Sequence, residues 1–190
     1  DRLGDTRSTA ITWGKIADIL YQRGDYDEAL RIRREVELPV YDRLGDTRST
    51  AITWGKIADI LHQRGDYDEA AVLHTKRLRA HESMGDLDEI AAAKWGLARI
   101  ELMQEDYQAA FMHLVESFQA LRQLERPDGI AVVGVRLGQL LLAADEREQA
   151  RSVLQDSLAA AEKIGVTKII QEIRDLISRT DERHGDGQHD

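Results

Sequence analysis

Residues 1–29 read DRLGDTRSTAITWGKIADILYQRGDYDEA, and residues 42–70 spell the same text with one change, Tyr21 becoming His62. Self-similarity at a period of 20–50 residues marks a repeat architecture, in which each unit buries its core only by stacking on a neighbour. Two diverged copies follow. The small pair Ala17 and Ala29 returns as Ala58 and Ala70, then Ala98 and Ala110, then Gly138 and Ala150, always 12 apart, with successive copies offset by 41, 40 and 40 residues. A turn recurs between the members of each pair: RGDYDEA ends at Ala29 and Ala70, QEDYQAA at Ala110 and DEREQA at Ala150.

Composition narrows the fold class further. The 190 residues hold two prolines, no cysteine and 5% aromatics, and helix formers dominate, which suits an all-α chain. Without cysteine there is no disulfide staple and no thiolate site, so a reducing, cytoplasmic setting is expected. No run approaches 18 apolar residues and no charged-then-apolar leader opens the chain, so neither a membrane span nor a signal peptide is expected. A net charge of −9 repels phosphate backbones and argues against nucleic acid as a partner. The opening text DRLGD returns at Asp42, so the chain is expected to be a fragment of a larger protein cut at a repeat boundary.

The second copy shows how one repeat becomes a helical hairpin. In Leu44-Gly45-Asp46, glycine can take the left-handed stop and aspartate can cap the next helix. A first helix is predicted from about Thr47 to Gln63, its buried stripe being Ala51, Trp54, Ile57, Ala58 and Leu61 at steps of three and four. Burial of Trp54 in that stripe would make its replacement by alanine cost about 3–5 kcal/mol. Gly65 ends the helix, Asp66 and Glu69 fit a capping box, and a second helix is predicted to about Ser83. Ala58 and Ala70 supply the small side chains that close helix packing needs.

The same plan sets the boundaries: repeats over 1–41, 42–82, 83–122 and 123–165, a closing amphipathic helix over 166–179 and a disordered tail over 180–190. Between copies three and four the stop becomes Glu125-Arg126-Pro127-Asp128-Gly129, with Pro127 and Gly129 as breakers. Pro39, inside the second helix of copy one, is predicted to lose a backbone bond and kink that helix near its end.

The pattern Trp54, Ile57-Ala58, Leu61, Gly65, Tyr67, Ala70 resembles the tetratricopeptide repeat, with the match extending over nearly all of residues 1–162. Leu20 and Leu61 stand where that family usually has Tyr, and Lys94 and Glu101 occupy two normally apolar positions. The period exceeds the usual 34 residues and is similar to the long-helix subclass of Leu-Gly-Asn-repeat adaptors, kinesin light chains and bacterial peptide-sensing regulators. The resemblance implies a right-handed α-solenoid of four hairpins plus a capping helix. It also implies a non-catalytic module that binds a protein or peptide on the concave face lined by the first helix of each hairpin.

Carried onto this chain, that face gives Asp18, Tyr21 and Gln22, then Asp59, His62 and Gln63, then Trp95 and Arg99, then Arg136 and Gln139, with Val135 and Leu142 beside the last pair. Trp95 reads two ways, as an aromatic anchor in the groove or as the core Trp displaced by one residue. The two-carboxylate clamp of some family members maps to Gly14, Asp18, Lys56, Ala92 and Gly96, where only the lysine survives, so chaperone-tail binding is not expected.

Six histidines (His62, His74, His81, His113, His184, His189) form no His-x-x-x-His or Glu-x-x-His pair. His74 and His81 share a helix face, but with no carboxylate partner in view no metal is expected. Nor is there a phosphate-binding glycine loop, a nucleophile elbow or a triad, so neither cofactor nor enzymatic activity is expected. Two rival roles stay open: a regulatory sensor arm of a multidomain ATPase or effector, and self-association through an exposed N-terminal repeat end.

Overall fold

The computed structural model describes residues 2–181, with side chains from Thr6 onward. The tail reading for 182–190, with His184 and His189, lies outside the described residues; Thr180 and Asp181 belong to the last helix. The order is α1 (Arg2–Gln22), α2 (Tyr26–Arg31), a π-helical segment (Ile32–Glu37), α3 (Leu38–Leu44), α4 (Thr47–Arg64), α5 (Tyr67–Met84), α6 (Leu87–Met103), α7 (Tyr107–Gln123), α8 (Pro127–Ala143), α9 (Arg147–Ile164) and α10 (Thr167–Asp181). The fold is all-α, with no strand among the described residues. Two compact units meet in the sequence at Gln104 and Glu105, the first holding α1–α6 and the second α7–α10.

In the first unit α1 pairs with the α2–π–α3 rod and α4 with α5, while α6 lies against α4 and α5. The crossings depend on Ala17, Ala29, Ala58 and Ala70, each fully buried, because axes this close leave room for a methyl and nothing larger. Ile32, Ile57, Leu61 and Ile100 fill the space around them. Helix α4 buries more than one stripe: Thr50, Thr53, Gly55 and Ile60 join Ala51, Ile57, Ala58 and Leu61, so it has neighbours on both sides. Trp54 is only half-buried, with Lys76 Nζ 5.9 Å from its ring centre, so its removal should cost less than a full core truncation.

The cap reading holds at Asp46, whose Oδ1 accepts from the Ser49 amide at 3.0 Å. At Asp66 it does not. No capping bond forms there; Glu69 receives Arg34 of the π-helical segment at 2.5 Å and Asp66 receives Arg64 of α4 at 3.2 Å. Gly65 takes φ 85°, as a left-handed stop requires. Three stops lack glycine: Glu105, Glu125 and Asp145 adopt φ of 61°, 51° and 60°. Gly129 is therefore no breaker. It lies inside α8, where a Cβ would meet Leu121, and Pro127 opens that helix.

Pro39 acts more widely than a terminal kink. Gly45 comes sixteen positions after Ala29 but Gly85 only fifteen after Ala70, and the extra residue of copy one is absorbed in the π-helical segment just before Pro39. Proline cannot donate to the carbonyl four residues back, so the looser turn costs least there.

In the second unit α7, α8 and α9 pack in sequence. Gly134 lets Ser157 and Phe118 approach the α8 backbone, and Ser157 Oγ donates to the carbonyl of Val153 at 2.8 Å. Helix α10 sets Ile173 and Leu176 against a cluster that includes Ala131, Val135, Leu154 and Ala161 of α8 and α9.

His74 and His81 are core residues of α5, 1% and 0% exposed. Carboxylates do stand beside His81, with Asp86 and Glu89 each 3.7 Å from a ring nitrogen, because the next turn and α6 return over it. Among the described residues no group of His, Cys, Asp and Glu is arranged to hold a metal.

Two measurements check this account. Replacing Glu125 with Gly should relieve left-handed strain by about 1 kcal/mol and raise the thermal midpoint. Burial lowers the His74 pKa from 6.5 to about 4. The unfolded chain therefore takes up the proton first, and stability present above pH 6.5 is lost as pH falls toward 4. By linkage this amounts to about 2 kcal/mol at pH 5, and denaturant titrations at pH 7 and 5 should show that share vanish in His74→Leu.

Candidate functional site

Offsets of 41 and 40 residues put Asp18, Asp59 and Arg99 at one register position on α1, α4 and α6, the first helices of successive hairpins. In the fold this register becomes an interlocked ladder. Arg99 Nη1 donates to Asp59 Oδ1 at 3.1 Å, and its Nη2 lies 3.1 Å from His62 Nδ1. That contact makes Nδ1 the acceptor and leaves the proton on Nε2, which has no hydrogen-bond partner among the described residues. Burial and then the neighbouring guanidinium push the His62 pKa below its usual value, so the ring stays neutral near pH 7.

Asp18, 43% exposed, is held from two sides, by Arg33 Nη2 at 2.7 Å and by Lys56 Nζ at 3.3 Å. Arg33 is buried and also bonds Glu37, a pair that sequence reading missed. Its signal was the extra residue of copy one, since the π-helical segment runs from Ile32 to Glu37 and so carries both side chains. Burial raises the Glu37 carboxyl above its ordinary range even with Arg33 bound. Gly14 leaves the space that these two side chains use.

Between Asp18, Tyr21, Lys56 and Asp59 lies a small cleft of about 40 Å³, floored by Ala17, Arg33 and Ile60. Burial first, then Asp59, raises the Tyr21 pKa; its ring sits 5.6 Å from Tyr26. Gln22 and Gln63 are exposed at the rim, and His62 stands edge-on to Tyr67 at 5.5 Å. Trp95 is half-buried with the Arg99 guanidinium 5.9 Å from its ring centre, within cation–π range. Asp18, Tyr21, Asp59, His62, Trp95 and Arg99 therefore share one face of the first unit.

The two candidates from copy four are engaged within the second unit. Exposed Arg136 donates to Gln139 Oε1 at 2.8 Å, and the Gln139 amide donates to Glu172 of α10 at 3.3 Å. Val135 is buried and Leu142 packs in the same cluster as α10. Sequence reading also missed an open apolar depression of about 750 Å³ on this unit, lined by Tyr107, Phe111, Leu140 and Ala144. At the position of Gln104, which bonds Asp68 in the first unit, the second unit has Ala144, whose side chain can make no such bond.

No helix among the described residues is long and apolar enough to cross a membrane. A search of curated proteins finds no match. Solved structures match at low identity. BtubC (BKLC) from P. vanneervenii aligns at 18% identity over 99% of this chain and 91% of its own, with a TM-score of 0.70. A signal transduction ATPase with numerous domains from Pyrococcus horikoshii, described as carrying a tetratricopeptide repeat sensor, aligns at 18% over 94% of this chain and 27% of its own, with a TM-score of 0.76. A putative kinesin light chain from Podosopora anserina with nearly identical repeats aligns at 15% over 92% and 96%, with a TM-score of 0.66. At such identities the likeness concerns fold alone. The family profile described as "Tetratricopeptide repeat" matches residues 8–83 and 89–163, and with hairpins, turns and alanine crossings recurring at that spacing, the chain belongs to the tetratricopeptide repeat family.

Proposed function

We propose that the chain is a non-catalytic recognition module that binds an extended peptide, or a segment of a partner protein, across the first-helix face of its first unit. The observation that carries this is the ladder of Asp18, Asp59 and Arg99 with Trp95 beside it. The ladder's side chains are half-exposed, so their pairs can be exchanged for ligand bonds. Carboxylates at one register accept from peptide amides, the guanidinium donates to a carbonyl, and the indole supplies an apolar anchor. The acidic balance of the chain disfavours nucleic acid as the ligand. A cysteine-free chain suits work inside the cytoplasm.

A second reading is that the module serves as the sensing arm of a larger regulatory protein. It is favoured by the Pyrococcus horikoshii structure, of which the aligned region is 27%. In that case the same face reads the signal.

The test is selection of 12-residue peptides from a random library on the intact chain, followed by calorimetry of the winners. Trp95→Ala and Arg99→Glu should each weaken binding at least tenfold while helix content stays unchanged, whereas Phe111→Ala on the second unit should have no effect. Selected peptides that bind both first-unit variants as tightly as the parent would place the ligand elsewhere.

A further inference from the structure

One register position of the repeats is polar in the first unit and apolar in the second. In the first unit Gly65, Asp66, Tyr67, Asp68, Glu69 and Gln104 line a depression of about 420 Å³. Gln104 Nε2 donates to Asp68 Oδ1 there at 3.1 Å, and Tyr67 is half-buried, edge-on to His62. Forty residues on, Tyr107, Gln108 and Ala144 stand for Tyr67, Asp68 and Gln104, and Phe111 replaces Ala71. The polar bridge is lost. Tyr107 is 56% exposed and Phe111 36%, two large aromatic side chains one helical turn apart on α7.

The depression of about 750 Å³ at this position is built from the first turns of α7 and α9 and the last turn of α8, which brings Leu140 and Ala144. That volume exceeds any single side chain, so an occupant must bring several apolar groups together, as one face of a helix does. Charge fixes the rest of its chemistry. Residues 105–108 and 143–149 hold five acidic residues and one basic, and the basic one, Arg147, is bound to Asp145 at 2.7 Å. Glu105 and Glu148 are exposed, and Glu146 itself lines the depression. Acids at helix starts offset the helix dipole, and they also set the sign of whatever docks beside them.

We propose that the depression formed by α7, α8 and α9 is a docking site for a basic amphipathic helix of a partner protein. Leucine- or phenylalanine-sized side chains would lie on Phe111, Leu140 and Ala144, with Lys or Arg meeting the acidic rim. The alternatives on this chain lack that chemistry. Residues 182–190 offer no apolar side chain, and a second copy would bring a net charge of −9 to an acidic rim. The site lies within the second unit and does not rest on the peptide face of the first.

The probe is a helical peptide with leucines along one face and lysines along the other, titrated into the full chain beside the same peptide with glutamate for lysine. The lysine peptide should bind and slow hydrogen exchange in residues 107–111 and 140–149, and the glutamate peptide should bind at least tenfold more weakly. Gln108→Asp combined with Ala144→Gln rebuilds the polar bridge of the first unit. Helix content should be unchanged in that variant and affinity should fall at least tenfold, as in Phe111→Ala; the added carboxylate would by charge alone strengthen binding. Trp95→Ala and Arg99→Glu should leave the affinity unchanged. Equal binding of the glutamate peptide, or undiminished binding to the rebuilt variant, overturns the proposal. Self-association that the rebuilt variant abolishes overturns it too, by making a second copy the occupant.

Discussion

Two helices that cross at close range tolerate little more than a methyl group on either side of the contact, and the hairpins of this chain are organised around that limit. Ala17 with Ala29 and Ala58 with Ala70 are fully buried at the crossings of the first two hairpins. Once those points are set, the larger side chains have determined destinations: Ile32, Ile57 and Leu61 fill the flanks, and polar groups move outward or pair. Where the limit is stricter, glycine replaces alanine, as at Gly134, over which Ser157 and Phe118 lie. A hairpin made this way is thin. It has little interior of its own and depends on what is stacked against it.

The same constraint explains the irregularity of the first repeat. One residue more than the other copies must fit between fixed crossings, and the chain accommodates it as a π-helical segment rather than by shifting the crossings. Along that segment Arg33 is buried against Glu37 and reaches Asp18. A buried charge with partners on both sides is held in one arrangement, because moving either partner leaves an uncompensated ion. The irregular turn thus fixes the orientation of Asp18, the first rung of the candidate face.

Much of the fold was legible as text. Recurring small pairs, Gly-Asp turns and the 41- and 40-residue offsets located each hairpin, and the register linking Asp18, Asp59 and Arg99 follows from those offsets alone. The candidate site was legible as positions but not as interactions. That Arg99 bonds Asp59 and His62, or that Gln139 gives its amide to α10, depends on which neighbour each long side chain reaches, and periodicity carries no such information. Cap chemistry failed for a related reason. Asp46 and Asp66 look alike in sequence, yet only Asp46 accepts from the amide three residues on, while the Asp66 carboxylate pairs with Arg64. Stops without glycine at Glu105, Glu125 and Asp145 escaped notice because a packed hairpin can hold an ordinary residue in a strained turn.

By itself the sequence determined the class of fold and the repeat family, since these depend on spacing and on side-chain size. Tertiary structure alone decided what each copy does with identical letters. The text RLGD runs straight into helix at residues 2–5 but makes a left-handed turn at Gly45, where α3 must fold back onto α4. Ile19 faces outward while Ile60 is sealed. The physical reason is that local propensity is shared by every copy of a repeat, whereas burial belongs to the neighbours, and α4 has more of them than α1.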